Sequence, residues 1–200
     1  MKNLKNSARS LNTTLNILFF ILLAYGAFTV GYHTLALRKL LTDPDALSGK
    51  MGLTVGWLTL NANHGFGIPL DAAVKMKLIQ LISAGAFTVI GCCAIRILKH
   101  ILLPIEVGQP FRSGISEDII RLSKHAVYLG MADNLYMLAA VILIENYYEL
   151  PTLLMHDPIT TVAIDWDLKP VWFIVAGVLS CLAMVFHHGE QLQQLADETL

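Results

Sequence analysis

Four long apolar stretches alternate with polar connections along this chain. Between Arg9 and Arg38 no residue is charged, and the core Asn16–Leu37 (NILFFILLAYGAFTVGYHTLAL) is long enough to span a bilayer as helix. A hydrocarbon core of about 30 Å needs about 20 apolar residues at the helical rise. A cleavable signal peptide would show a shorter apolar region, about 7–15 residues, and a small-x-small cleavage site; the stretch reads instead as a retained first span. The second covers Leu78–Leu98, with Asp71 after Pro69 as an expected N-cap and Pro104 as an expected stop. The third covers His125–Tyr147, interrupted by Asp133. Its helix is expected to begin earlier, capped by Ser116, with Glu117 and Asp118 at the positive end of the helix dipole. The fourth covers Pro170–His187, with Pro170 in the first turn.

The connections carry a different period. Gly52–Leu60 (GLTVGWLTL) is rich in β-formers, and in Thr160–Leu168 (TTVAIDWDL) Val162, Ile164 and Trp166 alternate with Ala163, Asp165 and Asp167. The two connections are expected to pair. The expected fold is therefore an all-α membrane protein: a single domain over 1–200, a four-transmembrane-helix bundle with a small extracytoplasmic β-like cap. Its spans are expected near 14–38, 76–102, 122–147 and 170–188.

Composition agrees with that pattern. Of 200 residues, 55% are hydrophobic and only 14% charged, against about 25% charged in soluble domains. A net charge of −1 offers no basic face for direct nucleic-acid binding. With both termini inside, Lys2, Lys5, Arg9, Arg96, Lys99, Arg112, Arg121 and Lys124 fall on the cytoplasmic side. Arg38, Lys39, Lys50, Lys75, Lys77 and Lys169 then fall outside, a positive-inside bias that favours cytoplasmic termini. Cys92, Cys93 and Cys181 all lie in apolar stretches without metal-ligand spacing and read as packing residues.

Asp133, followed by Asn134, is the sharpest polar feature. A carboxylate at bilayer depth costs at least about 2.5–3.5 kcal/mol, so it must face protein, find a partner or stay protonated. Asp133 reads either as the ion site of a small transporter or channel, or as a buried polar residue that fixes helix packing. Arg96 is its nearest possible counter-charge by type, or snorkels to the headgroups. His100, His125, His187 and His188 fall near the cytoplasmic rim and His33 near the outer end of its helix. A haem held at the rim would be half in water, which leaves a membrane b-type cytochrome as the weakest reading; neighbouring His187 and His188 diverge on a helix, and with Glu190 they fall short of the three or four spaced ligands that zinc needs. No nucleophile elbow, phosphate loop or HExxH is present, and the HGFGIP segment (His64–Pro69) reads as a turn. The expectation is a non-enzymatic protein without cofactor. Small residues four apart, Ala27 and Gly31, then Ala84, Thr88 and Cys92, then Gly177 and Cys181, are expected to let helices approach, within the chain or in a homodimer.

Two segments go further. Gln109–Gly130 (QPFRSGISEDIIRLSKHAVYLG) places Pro-Phe before a short amphipathic helix that leads into a span. The tail His187–Leu200 (HHGEQLQQLADETL) ends on Asp-x-Thr-aliphatic. With four spans, this resembles a bacterial family of small integral membrane proteins classed as a domain of unknown function. Relatives often carry an acidic LQEE-D run where this chain has Gln191–Asp197. The resemblance implies a protein of the bacterial cytoplasmic membrane, often encoded beside a small Xre-type helix-turn-helix regulator, and hence a sensor or regulatory partner of a transcription factor. Pro110 and Phe111 in the loop, and Gln191, Gln194 and Asp197 in the tail, would then share one cytoplasmic docking surface. The simpler alternative is an interfacial anchor and a solvated helix end.

Overall fold

The structure, a computed structural model, describes residues 2–42, 51–55, 58–62, 70–109, 111–148 and 169–199. They form α1 (Lys2–Thr42), β1 (Met51–Val55), β2 (Leu58–Ala62), α2 (Leu70–Val107), α3 (Ile115–Tyr148) and α4 (Val171–Glu198). All four helices are long and apolar enough to cross a membrane. The outward faces show why lipid is the fitting solvent. Ile17, Phe20, Ile21, Phe28 and Leu35 of α1 are exposed, Phe28 to 72%, as are Val178, Met184 and Val185 of α4. Apolar surface this continuous is not left to water by a soluble monomer, whereas hydrocarbon accepts it and the helical backbone bonds to itself.

Each helix exceeds the apolar core that announced it, and its ends are set by local chemistry. Pro104 does not stop α2, which runs on to Val107. A proline removes one hydrogen bond to the preceding turn, a tolerable loss this close to the end. The stop is Gly108, at φ 95°. The Gly108 amide donates to the Ile105 carbonyl (3.0 Å) and the Gln109 amide to the Pro104 carbonyl (2.8 Å), the paired closure of a glycine C-cap. Asp71 is not the cap of α2 but lies in its first turn, paired with Lys75 at 3.3 Å. Ser116 likewise falls inside α3, which begins at Ile115 after Gly114 at φ 99°. Pro170 precedes α4, its carbonyl accepting from the Phe173 and Ile174 amides.

The chain packs as two compact units. The first comprises residues 1–26, 87–131 and 169–200. Within it α1 and α2 run antiparallel: Arg9 and Asn12 meet Glu106, Phe19 lies under Arg96, Leu22 meets Gly91, and Gly26 meets Thr88. α3 and α4 are also antiparallel. Ser116 meets Glu190, the Ser123 hydroxyl reaches the Ala176 carbonyl and the Ser180 hydroxyl (both 2.9 Å), and Gly130 packs on Trp172 and Phe173. Ile101, Ile115, Ile119 and Ala183 form a buried apolar cluster, extended by Ile97, Leu122, Leu179 and Phe186.

The second unit comprises residues 27–86 and 132–168. Its strands pair with each other, antiparallel, Met51 opposite Ala62 and Val55 opposite Leu58. This replaces the expected β-like cap. The described strands make a local hairpin, and Thr160–Leu168, which was to pair with the first connection, lies outside the described residues. A hairpin closes a short loop, so its ordering entropy is far smaller than that of pairing segments about a hundred residues apart.

Candidate functional site at the α2–α3 turn

Three carboxylates, each on a different helix, tie the first unit together around the α2–α3 turn. Glu106, in the last turn of α2, accepts from Arg9 Nε at 3.1 Å and from Asn12 Nδ2 at 3.5 Å, joining α1 to α2. Asp118, in the first turn of α3, faces His100 Nδ1 of α2 and accepts from Arg121 Nη1 at 3.3 Å. Its side chain is only 10% exposed while that of His100 is 73% exposed, so the carboxylate is the fixed partner and the ring the accessible one. Glu190 of α4 reaches the beginning of α3, where Oε1 accepts from the Ser116 amide at 2.8 Å and Oε2 from the Ser116 hydroxyl at 2.9 Å.

The Glu190 contact explains why Ser116 need not cap its own helix. The first amides of a helix lack intrahelical partners and carry the positive end of its dipole, and here a carboxylate from another helix satisfies one of them. Close by, Phe111 lies against Gly189, where an added Cβ would come within 2.5 Å of Phe111 Cδ1. The Phe111 ring also packs on Phe186, with centroids 5.7 Å apart. The turn and the end of the fourth span are therefore joined twice, by charge and by ring packing.

The residues named from the sequence divide accordingly. Phe111 and the start of the tail are brought together, and Phe111 stays 40% exposed beside Phe186 and Gly189; Pro110 lies outside the described residues. Gln191, Gln194 and Asp197 are exposed on the helical extension of α4 beyond Gly189. Gln191 bonds His187 at 3.1 Å and Gln194 bonds Glu198 at 3.4 Å, both within the helix. Arg96 lies over the Phe19 ring, 5.6 Å from its centroid, in a cation–π contact. Asp133 and Asn134 are half-buried on α3. His125 bonds the Arg121 carbonyl one turn earlier. Among the described residues no three His, Cys, Asp or Glu side chains converge to hold a metal ion, and the three cysteines are free.

Sequence reasoning passed over Glu106 and the bridging roles of Asp118 and Glu190. Their signal was available: acidic residues at the ends of apolar helices, where a carboxylate can neither enter lipid nor leave a neighbouring amide or cation unpaired. Comparison of the chain with protein-family models, with curated proteins and with solved structures gave no match.

Asp118 offers a first test. Asp118→Asn removes the charge that holds both His100 and Arg121. Both partners are exposed to solvent on their other sides, so the expected loss is about 1–2 kcal/mol, read as a lower melting temperature in detergent. His100→Ala should cost less, because Arg121 remains to pair with Asp118.

Proposed function

We propose that this is a non-catalytic, multi-pass protein of a bacterial cytoplasmic membrane, with both termini in the cytoplasm, that holds a cytoplasmic helix-turn-helix regulator. The observation that supports the reading is the way the end of α4 is held. Glu190 and Gly189 fasten it to the α2–α3 turn, and from that anchor the helix continues to Glu198 with Leu192 and Leu195 exposed to 68% and 60%. Those two leucines lie three residues apart, on one face of a helix, flanked by Gln191 and Gln194. A short amphipathic helix on a rigid base is a form of ligand that soluble domains take into apolar grooves. The orientation is supported by the cations along the sequence: Lys2, Lys5, Arg9, Arg96, Lys99, Arg112, Arg121 and Lys124 on the side of this turn, against Arg38, Lys39, Lys50, Lys75, Lys77 and Lys169 on the other.

The test is photo-crosslinking in intact cells from a reactive side chain at Gln194, with Phe28 as the lipid-facing control. A helix-turn-helix regulator should be captured from Gln194, absent from Phe28, and lost when both Leu192 and Leu195 are replaced by Asp. Crosslinks from Gln194 to lipid alone would overturn the reading.

A further inference from the structure

Between the end of α2 and the start of α3 lies a cavity of about 250 Å³. That is below the roughly 300–1,000 Å³ typical of pockets for drug-sized molecules and suits a small polar group. Leu103 and Pro104 give it an apolar wall; Arg112, Ser113 and Glu117 give it a polar one. Leu103 and, one turn on, Val107 are exposed apolar residues of a membrane-crossing helix, whereas Gln109, Arg112 and Ser113 beyond them are polar. The cavity therefore straddles the level at which hydrocarbon gives way to headgroups.

Its charges say which headgroup fits. Arg112 and Arg121 are balanced by Glu117 and Asp118, so a simple anion gains little there. The charges are also unevenly committed. Asp118 is engaged by His100 and Arg121, and Arg121 reaches Glu117 only at 3.5 Å. Arg112 forms no ion pair among the described residues. What remains open to a ligand is one guanidinium and one loosely held carboxylate, on the same cavity. A ligand with both charges, an acceptor for Arg112 and a hydrogen-bonding cation for Glu117, matches that pair.

We propose that this cavity holds the headgroup of an aminophospholipid. The phosphodiester accepts from Arg112, the primary ammonium donates to Glu117, and an acyl chain leaves along Leu103. A guanidinium is well suited to a phosphodiester because it offers several donors in a planar fork. A primary ammonium presents three donors, whereas a quaternary one presents none, so the site discriminates between them.

The full chain in nanodiscs of phosphatidylethanolamine, phosphatidylglycerol and phosphatidylcholine in equal parts, released for native mass spectrometry, tests this. Phosphatidylethanolamine should be retained about tenfold over phosphatidylcholine, the scale of one charge-assisted hydrogen bond. Arg112→Gln should lower retention of phosphatidylethanolamine and phosphatidylglycerol alike. Glu117→Gln should bring phosphatidylethanolamine down to the level of phosphatidylcholine. Equal retention of the three lipids by the unaltered chain overturns the proposal, as does wild-type behaviour of both variants. Displacement of the lipid by soluble phosphoethanolamine at equal concentration would overturn it too, marking a site for a free metabolite.

Discussion

Gly26→Leu is expected to be the most damaging single substitution in the first unit, lowering stability by about 1–3 kcal/mol or more, the range for overpacked cores. Gly26 is buried where α1 crosses α2. A Cβ built there would lie 2.2 Å from Thr88 Cγ2, 2.3 Å from Thr88 Oγ1 and 2.8 Å from Thr88 Cβ. The last distance decides the matter. Turning the threonine moves its γ atoms, but its Cβ is fixed to the backbone, so the helices themselves must separate. Parting them also disturbs Leu22, whose Cδ2 fills the space a Cβ would take at Gly91. Gly26→Ala should act in the same direction with a smaller effect. Thr88→Gly removes all three obstructing atoms at its own cost of about 0.3–0.5 kcal/mol in helix propensity, so the double variant Gly26→Ala/Thr88→Gly should be less destabilised than the two single changes added together. Thermal unfolding of the four proteins in one detergent reads that coupling. If Gly26→Leu melts with the unaltered chain, the close crossing is wrong.

Glu190→Ala is the second large effect. It leaves the Ser116 amide and hydroxyl, on a residue only 5% exposed, without the carboxylate that accepts from both. An unsatisfied buried donor costs about 1–3 kcal/mol, and a carboxylate at a helix start adds a favourable dipole interaction of about 0.3–1 kcal/mol, so the loss should be about 2–3 kcal/mol. Glu190→Gln keeps one acceptor and should lose less. Ser116→Ala removes only the hydroxyl donor and should lose least, because the amide keeps its partner. The specific readout is hydrogen exchange of the first-turn amides of α3, which should quicken in Glu190→Ala and scarcely change in Ser116→Ala. Unaltered exchange at Ser116 in Glu190→Ala would mean that the amide has another acceptor.

The two residues differ in how readable they were. Thr88 stands in a small-residue stripe that the sequence displays, yet the glycine it meets is Gly26, not the Gly31 of the stripe. Gly31 and Gly177 have nothing within 4 Å of where a Cβ would stand. Spacing four apart shows that a helix can be approached, but several faces of α1 carry small residues and only packing chooses one. Glu190 was legible as a polar residue after an apolar helix and illegible as a cap for α3, because its partner lies 74 residues earlier in the chain.

The helices themselves were written in the one-dimensional pattern. A run of apolar residues without charge has to satisfy its backbone internally and its side chains in lipid, and a helix does both without reference to any other part of the chain. For that reason four helices, their order and their apolar cores follow from the sequence alone. Which glycine takes the close approach, which carboxylate bridges which helix and where a cavity opens are decided between segments distant in sequence. Those contacts depend on the rotation and depth at which helices meet, and in a membrane, where every face is greasy, hydrophobic periodicity no longer marks the inward side.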